Sequence, residues 1–473
     1  MIKKVLISTI TAAFILNGCS NISTVPTISK EDKQPKAVKE FVQADILEYG
    51  NFSFYAIDLK SRESIANYKG KVPLIPASVM KIVTSATAYE VLGEDFKLET
   101  KLLYQGKISD KGVLNGDLFI QGGGDPTLGS NGIAKKQDEF LKEWILAVKK
   151  AGIKEVKGDI VVLDDLFGYE GISGKWLWED MGTDYASITN GISIFDNLYK
   201  IYLKSDNEKV TVEKIIPNVK GITFDNKVKV SEDGKKDIYV RGIPFDNNRI
   251  LRGVIPKNKS IIIDSDIPDP GMFLGEYFKE NLIKDGVKVS GKVVTSRISN
   301  KQLKNGEILA VTQSAPLSEI LKILLTRSDN HYAEHIFEIL KLKDIDIIEF
   351  WKNKGINTGS LVMYDGSGLS CADRLSTKFL TEVLMYMDKT NKGFANLLPI
   401  AGKEGTVAKF LVETPLSGNA KIKSGSMSGV QSYAGYLDKD GKKIAFALVV
   451  NHWNGTRQQL RAEMEKLLNG MIK

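Results

Sequence analysis

The feature that most constrains the fold is a double change of secondary-structure pattern along the 473 residues of the chain. Strand-like and helical patterns alternate before residue 98 and again after Pro270. Between them lie short alternating runs separated by Asp-Gly, Asn-Gly and Gly-rich turns, which are typical of β-structure. The length suits two to three domains of about 150 residues. The pattern predicts an α/β domain, residues 37–97 and 268–473, that is split by an inserted β-rich region, residues 98–267, which we expect to form two domains.

The first 18 residues have the pattern of a secretory signal. Two lysines precede an uncharged apolar run, residues 5–16, that is shorter than the roughly 20 residues needed by a membrane-spanning helix. The run ends at Leu16-Asn17-Gly18-Cys19, which resembles a bacterial lipoprotein signal. That resemblance implies cleavage before Cys19 and attachment of lipid to its thiol, whereas ordinary secretion would leave Cys19 free.

The segment that follows, residues 19–36, predicts a flexible tether because it is rich in Ser, Thr, Pro and mixed charge. A chain anchored in this way would lie on the exported side of the membrane, in the periplasm or at the cell envelope. Ser20 after the cysteine favours the outer membrane where the cell has one. We therefore expect an exported protein that is attached to a membrane through a lipid anchor.

Charge and cysteine content exclude two classes of protein. The formal net charge is +7, from 65 Lys and Arg against 58 Asp and Glu. Because this excess is not gathered into a basic block, nucleic-acid binding is not expected. Two cysteines cannot form a disulfide framework.

A serine and a lysine one helical turn apart are the first candidates for chemistry. Residues 78–92 predict a helix that is apolar on nearly all faces, so Lys81 is expected in an apolar environment beside Ser78. Burial lowers the pKa of a lysine, and a neutral amine beside a hydroxyl can accept its proton and activate the serine. This motif alone leaves open the alternative that Ser78 caps the helix and Lys81 extends to solvent.

A serine–lysine pair of this kind needs a Ser-x-Asn element and a Lys-[Ser/Thr]-Gly strand further along the chain. Ser-x-Asn occurs three times. Ser205-Asp206-Asn207 has the pattern of an exposed hairpin turn and Ser417-Gly418-Asn419 that of a loop. Ser328-Asp329-Asn330 lies between two helical patterns, so we select Ser328 and Asn330. Lys423-Ser424-Gly425 is the match to the third element and begins the last group of predicted strands.

The motifs, in this order, resemble those of the class C low-molecular-mass penicillin-binding proteins, the D-alanyl-D-alanine carboxypeptidase/endopeptidases of peptidase family S13. The separation of about 250 residues between Ser78 and Ser328 is typical of that family, whereas serine β-lactamases place these motifs closer together. Four further segments carry the resemblance: Gly122-Gly123-Gly124-Asp125-Pro126-Thr127-Leu128, Trp176-Leu177-Trp178-Glu179-Asp180, Asp365-Gly366-Ser367-Gly368-Leu369-Ser370 and Gly402-Lys403-Glu404-Gly405-Thr406. The resemblance implies a β-lactamase/transpeptidase-like α/β domain that carries inserted β-rich domains.

The resemblance also implies a reaction. Ser78 would attack the carbonyl of a terminal or cross-linking D-Ala peptide bond in a peptidoglycan stem peptide, with Lys81 as the base. Ser328 and Asn330 would pass the proton to the leaving amine and position the substrate. Water would then release the acyl group, and β-lactam antibiotics would acylate the same serine. No cofactor and no metal are implied.

The strand that begins at Lys423 is implied to bind the substrate. Lys423 and the Ser424 hydroxyl would hold the substrate carboxylate through charge-assisted bonds. The N–H groups of Ser78 and Ser426 would form the oxyanion hole, and Gly425 lies between these strand residues.

Specificity for the third residue of the stem peptide is implied to depend on a few further side chains. The residues that match the family are Asp180 (or Glu179), Met427 and Ser428. An arginine of the family is replaced by Cys371, which removes a bidentate contact to a carboxylate; Arg374 is a candidate substitute.

Three other functions remain as alternatives. His331-Tyr332-Ala333-Glu334-His335 matches the H-x-x-E-H pattern of zinc peptidases, with His331 and His335 on one helix face. Because this segment directly follows Asn330, we interpret its histidines as packing or surface residues instead. The other two alternatives are a β-lactamase-like serine hydrolase and a lipoprotein that binds peptidoglycan without catalysis.

Overall fold

The computed structural model describes residues 34–133 and 137–473. The predicted signal segment, residues 1–18, and the predicted lipidation site Cys19 lie outside the described residues. The predicted tether lies outside them as far as residue 33. Within the described ranges, no helix is both long and apolar enough to cross a membrane.

Helices and strands alternate along the chain in the mixed α/β pattern that was predicted. The helices are α1 (Lys36–Val42), α2 (Met80–Leu92), α3 (Glu139–Lys150), α4 (Pro270–Lys284), α5 (Leu317–Arg327), α6 (Asn330–Leu342), α7 (Ile347–Asn353), α8 (Thr377–Thr390) and α9 (Arg457–Met471). The strands are β1 (Asn51–Asp58), β2 (Ser64–Tyr68), β3 (Pro73–Leu74), β4 (Glu99–Ile108), β5 (Val113–Gln121), β6 (Glu155–Val156), β7 (Ile160–Leu163), β8 (Leu198–Ser205), β9 (Val210–Ile216), β10 (Thr223–Asn226), β11 (Lys229–Ser231), β12 (Asp237–Arg241), β13 (Asn248–Pro256), β14 (Ser260–Asp266), β15 (Lys288–Val289), β16 (Val293–Thr295), β17 (Glu307–Gln313), β18 (Leu375–Ser376), β19 (Ala420–Met427), β20 (Val430–Lys439) and β21 (Lys442–Asn451).

A five-stranded antiparallel sheet joins the two ends of the chain. Its strand order is β19-β20-β21-β1-β2, so the first strands of the chain pair with the last ones. The strands β1, β20 and β21 are buried almost throughout because both faces of the sheet are covered. Helices α1 and α9 share a hydrophobic core with one face, while α2, α5, α6 and α8 share a second core with the other. The predicted sites at Ser78, Ser328 and Lys423 all lie in this α/β part.

The inserted region is larger than predicted and contains helices. Its seven-stranded sheet has the order β15-β6-β5-β4-β17, with β7 and β16 attached beside β5. Strand β17, which ends at Gln313, pairs with β4, and helix α4 contributes to the same core as that sheet. The region therefore ends after Gln313 rather than at residue 267. The prediction failed because α4 was interpreted as the return of the α/β domain. Two smaller sheets, β14-β8-β9 and β10-β13-β11 with β12, complete the region.

Candidate active site

Ser78 lies in a 3₁₀ turn, Ala77–Val79, that leads directly into α2. Ala77 has a φ of 49°, a left-handed conformation that is costly for a residue with a side chain. Surrounding contacts hold this turn in place: the Ser432 hydroxyl donates to the carbonyl of Pro76 at 2.6 Å. The neighbouring loop also requires glycine, because a Cβ at Gly368 would lie 2.1 Å from the carbonyl oxygen of Ala77. The turn is thus fixed from two sides and presents Ser78 at the start of the helix.

Lys81 connects Ser78 to two other parts of the chain. Its side chain is 0% exposed, and its Nζ donates to Ser78 Oγ at 3.0 Å, to Asn330 Oδ1 at 2.5 Å and to the carbonyl oxygen of Ser367 at 2.8 Å. Burial lowers the pKa of Lys81 to about 8, against the opposing effect of nearby carboxylates, Asp365 first. The alternative in which Lys81 extends to solvent is therefore wrong. The amine is placed to accept the proton of the Ser78 hydroxyl.

Ser328 and Asn330 lie at the junction of α5 and α6. Ser328 ends α5 with a φ of 62°, and Asp329 caps α6 by accepting the backbone N–H of Tyr332 at 3.0 Å. The Asn330 side chain is oriented at both ends, because its Oδ1 accepts from Lys81 and its Nδ2 donates to the carbonyl of Tyr185 at 2.7 Å. Of the three Ser-x-Asn segments, this is the one beside Lys81. The other two lie in the β8–β9 turn and just before β19.

Lys423 is a second buried lysine of the site. It is 0% exposed, and its Nζ donates to Ser328 Oγ at 2.8 Å and to the carbonyl oxygen of Ser424 at 2.6 Å. Burial, and then the nearby Lys81, hold its pKa well below the ordinary range. Both described acceptors are neutral, so a bound carboxylate would supply the counter-charge for this lysine.

Strand β19 passes directly beside the Ser78 turn. A Cβ at Gly425 would lie 2.2 Å from Ser432 Oγ and 2.9 Å from the backbone nitrogen of Ser78, so this position requires glycine. One residue earlier, the Ser424 hydroxyl is 2.7 Å from that of Thr406. The close approach brings the end of β19, with Ser426, alongside the nucleophile.

An open cavity of about 460 Å³, here called the front cavity, is lined by most of the predicted residues, but not by Ser424 or Gly425. It is lined by Ser78, Leu177, Glu179, Asp180, Tyr185, Ser328, Asn330, Gly368, Leu369, Cys371, Ser426, Met427 and Ser428. Lys81 and Lys423 lie beneath it, each hydrogen-bonded to a serine of the lining. Residues predicted from segments far apart in the sequence thus share one cavity.

The lining of the front cavity carries acidic charge on one side. Glu179 and Asp180 both contribute, and burial raises the pKa of Asp180, which accepts a hydrogen bond from the Tyr185 hydroxyl at 3.1 Å. Cys371 lies in the same lining, with a pKa raised by burial. Arg374 donates to the carbonyl oxygens of Cys371 and Asp373, both at 2.6 Å, and does not line the cavity. The described lining therefore contains no arginine or lysine, and the Arg374 guanidinium is bonded to the backbone of its own loop.

The H-x-x-E-H segment forms part of the protein interior. His331 Nε2 pairs with the Ser193 hydroxyl at 2.7 Å, and His335 faces its own helix backbone and the carbonyl of Asn190 at 3.1 Å. Burial lowers the pKa of both histidines. In the described part of the chain, no group of three or more His, Cys, Asp or Glu side chains is arranged to hold a metal ion. The segment packs helix α6 against the inserted region.

Sequence reasoning missed Asp365, which organises the floor of the site. Its two carboxylate oxygens accept the backbone N–H groups of Ser367, Gly368 and Ser370 and the indole N–H of Trp176, at 2.6 to 3.1 Å. This fixes the loop whose Ser367 carbonyl receives Lys81. The signal was present, since both the aspartate and the tryptophan lie in segments that carried the family resemblance.

Sequence reasoning also missed Thr406, whose hydroxyl lies 2.7 Å from that of Ser424, and Arg457. The Arg457 guanidinium donates to Ser426 Oγ, to the carbonyl oxygen of Met427 at 2.8 Å and to Gln431 Oε1 at 3.0 Å, and so holds the β19–β20 turn. A single arginine at the start of α9 gives no sequence signal for such a role.

Comparison with known proteins identifies the family. The model of the D-Ala-D-Ala carboxypeptidase 3 (S13) family matches residues 34–470. D-alanyl-D-alanine carboxypeptidase DacB of Haemophilus influenzae is 27% identical over 95% of this chain and 93% of its own length. A D-alanyl-D-alanine carboxypeptidase of an Actinomadura species is 26% identical over 84% of this chain and 77% of its own.

Solved structures give the same result for the fold. The crystal structure of penicillin binding protein 4 (dacB) from Haemophilus influenzae superposes with a TM-score of 0.79 at 26% identity, covering 92% of this chain and 98% of that chain. A second structure of the same protein, complexed with a β-lactam, gives a TM-score of 0.74. The predicted transpeptidase-like α/β fold and the family resemblance are confirmed.

Proposed function

The chain belongs to the D-Ala-D-Ala carboxypeptidase 3 (S13) family, and from this premise we propose that it hydrolyses D-Ala peptide bonds of peptidoglycan stem peptides through an acyl-enzyme on Ser78. The family and its named relatives make it a serine-type D-Ala-D-Ala carboxypeptidase. The assignment of roles to its side chains rests on the geometry of the front cavity. The observation that carries it is the buried Lys81 amine, which bridges the Ser78 hydroxyl and Asn330.

Acylation follows from the order of these contacts. Lys81 Nζ takes the proton of Ser78 Oγ while Oγ bonds to the substrate carbonyl carbon, and its lowered pKa lets a useful fraction of the amine be neutral. The C–N bond then breaks, and the leaving amine needs a proton. Ser328 Oγ, which accepts a hydrogen bond from Lys423, is free to donate its own proton toward that amine. Ser328 then regains a proton from Lys81, which leaves that amine neutral again. In deacylation, Lys81 takes a proton from water as the water oxygen attacks the ester carbon, and gives it to Ser78 Oγ as the ester C–O bond breaks.

The substrate carboxylate is bound by Lys423 and its neighbours, not by Lys81. The terminal carboxylate of the substrate would lie against Lys423 and the hydroxyls of Ser424 and Thr406. There its negative charge would pair with the Lys423 ammonium. The backbone N–H groups of Ser78 and Ser426 are the candidates for the oxyanion hole, and donors of this kind contribute about 10²–10³ in rate each. The leaving residue and the rest of the stem peptide would fill the front cavity.

Labelling with a fluorescent penicillin tests this proposal. The related Haemophilus influenzae protein has been crystallised with a β-lactam, and a β-lactam reacting at Ser78 would leave a slowly released ester. We expect the wild type to be labelled and Ser78→Ala not to be. Ser85→Ala is the matched control, because Ser85 lies on α2, the helix that follows the Ser78 turn, is buried and makes no hydrogen bond with its hydroxyl in the described structure. Labelling of Ser78→Ala at the wild-type level would refute the assignment.

Mass analysis of purified muropeptides separates this function from the alternatives. A carboxypeptidase releases free D-alanine from the stem end, an endopeptidase separates cross-linked dimers, and a non-catalytic binding protein leaves both intact. A β-lactamase would instead turn over penicillin repeatedly with no muropeptide product.

We also propose that the chain is exported and held at a membrane by lipid on Cys19. The basic residues, short apolar run and cysteine of the N-terminal segment support this location. Radiolabelled palmitate should enter the wild-type protein and not Cys19→Ala, which should leave the membrane fraction. Equal palmitate incorporation in both would contradict the anchor. Cys371→Ala is the control, because Cys371 is the other cysteine of the sequence.

A further inference from the structure

A second cavity lies behind the active site, on the far side of the loop that receives Lys81. This rear cavity has a volume of about 390 Å³ between helix α6 and the inserted region. It is lined by Phe167, Glu170, Gly171, Ile172, Ser173, Gly174, Lys175, Thr189, Glu334, Glu338, Lys341 and Tyr364. Asn330 lines the front cavity and Glu334 the rear one, so a single turn of α6 separates the two.

Glu334 is buried at the inner end of this rear cavity. Its side chain is 5% exposed; Oε2 accepts the backbone N–H of Gly366 at 3.2 Å, while Oε1 is buried with no hydrogen-bond partner among the described residues. A buried carboxyl oxygen without a donor is costly when the group is ionised. The mechanism proposed above assigns no role to this carboxyl.

Glu334 and Lys81 contact the same two-residue segment from opposite sides. Gly366 donates its N–H to Glu334, and the next residue, Ser367, gives its carbonyl oxygen to Lys81 at 2.8 Å. The Thr84 hydroxyl holds this segment from a third side by donating to the carbonyl of Gly366 at 2.7 Å. The carboxyl and the amine are therefore near neighbours that do not compete for one position.

Other charges surround this pair on every element that packs against it. The loop contributes Asp365 and Asp373, and burial followed by the nearby Asp365 raises the pKa of Asp373 to about 9. Strand β19 contributes Lys423 and the α6 cap contributes Asp329, both acting on Lys81 or influenced by it. The remaining charges of the rear cavity are Glu338 and Lys341, which pair with each other at 2.8 Å, and Glu170 and Lys175 from the inserted region.

Burial, and then the negative charge of Asp365, raise the pKa of Glu334 to about 8. The pKa of Lys81 is also about 8, with Glu334 among the carboxylates that raise it. Burial thus moves the pKa values of the two groups toward each other. When Glu334 is neutral, Lys81 loses one nearby anion and gives up its proton more readily; when Glu334 is ionised, Lys81 retains its proton.

We propose that Glu334 is a positioning residue that sets the proton affinity of the Lys81 amine from behind, through the Gly366–Ser367 peptide. The inference rests on the proposed function, in which Lys81 is the base for acylation. It gives Glu334 a part in the reaction without contact with the substrate, since Glu334 lines the rear cavity and not the front one.

The test is the pH dependence of acylation by a fluorescent penicillin in the full-length protein. In the wild type the rate should rise with pH as Lys81 loses its proton. Glu334→Gln keeps the shape of the side chain but cannot ionise, so we expect the midpoint of this rise to move to lower pH by about one unit. Glu338→Gln is the matched control: it lies one turn further along α6, lines the same cavity and does not act on Lys81. Its midpoint should equal that of the wild type.

The outcomes separate the two proposals. Absence of labelling in the wild type would refute the proposed function itself. A labelled wild type with an unmoved midpoint in Glu334→Gln, or equal shifts in both variants, would overturn the role of Glu334, even if the rate falls. Should Glu334→Gln fail to fold, titration of carboxyl-¹³C-glutamate in the wild type decides. A glutamate carboxyl resonance that changes with pH at the midpoint of acylation supports the proposal, and the absence of any such change overturns it.

Discussion

The floor and the rim of the front cavity are built from different kinds of residue. We define the floor as Lys81, Lys423 and Asp365, and the rim as Glu179 and Cys371. The floor residues are all 0% exposed and make several hydrogen bonds each, whereas the rim residues are exposed or half-exposed. A buried charge has few substitutes, while an exposed side chain is replaced at little cost. The buried floor residues therefore determine which reaction occurs, whereas substitutions at the rim can alter which substrate is preferred.

Replacing the lysine of the floor should have the largest effect on activity. Lys81→Met keeps the length and packing of the side chain but removes the base, so acylation should slow by about 10²–10⁴-fold. The fold should be retained, because a buried methionine has no desolvation penalty to overcome. Acylation rates and thermal unfolding check both statements, with the exposed Lys60→Met as control. A folded Lys81→Met that acylates at the normal rate would remove Lys81 from the mechanism.

Asp365→Asn tests the floor through stability. Its carboxylate accepts four N–H groups, and an amide has one oxygen to offer and turns its own N–H₂ toward the remaining donors. We expect a loss of about 2–4 kcal/mol in the free energy of unfolding, measured in urea, together with slower acylation. Asp264→Asn, which breaks an exposed ion pair with Lys200, should cost less than about 1 kcal/mol. Equal costs for the two variants would mean that Asp365 is not the organiser of this loop.

Substitutions at the rim should change which stem peptides are preferred and leave the hydrolytic reaction intact. Cys371→Arg introduces a guanidinium into a cavity that holds Glu179 and Asp180 and no described cation. Stem peptides whose third side chain ends in a carboxylate should gain about tenfold in kcat/KM over those that end in an amine alone. Cys371→Lys, which cannot form a bidentate contact, should give a smaller change. An unchanged ratio in both variants would show that this position does not face the substrate.

The two lysines of the floor could be predicted from sequence, because each lies in a short motif with a fixed spacing. Ser78 and Lys81 are one helical turn apart in an apolar segment, and the two later motifs favoured the interpretation that the amine lies beside the hydroxyl, as the structure has it. Ser328 was chosen from three candidates because it lies between two helical patterns, and the structure brings it to Lys423. Such arguments need only the period of the helix and the sequence of elements.

The remaining features depend on contacts between distant segments. Asp365 meets Trp176 across 189 residues, and Thr406 meets Ser424 across 18, and neither pair is specified by a local pattern. The end of the inserted region was misplaced for the same reason. Strand β17 contains only exposed and half-buried residues, and its pairing with β4 assigns it to the inserted sheet. Tertiary pairing, not propensity, determined these features.

The central claim is that Ser78 is the nucleophile of a serine D-Ala-D-Ala carboxypeptidase. It is tested most directly by trapping the protein with penicillin, digesting it and locating the added mass by peptide sequencing. We expect one penicilloyl group per chain, on Ser78 within the peptide that contains it. A penicilloyl group on any other residue, or a folded protein that remains unmodified, would contradict it.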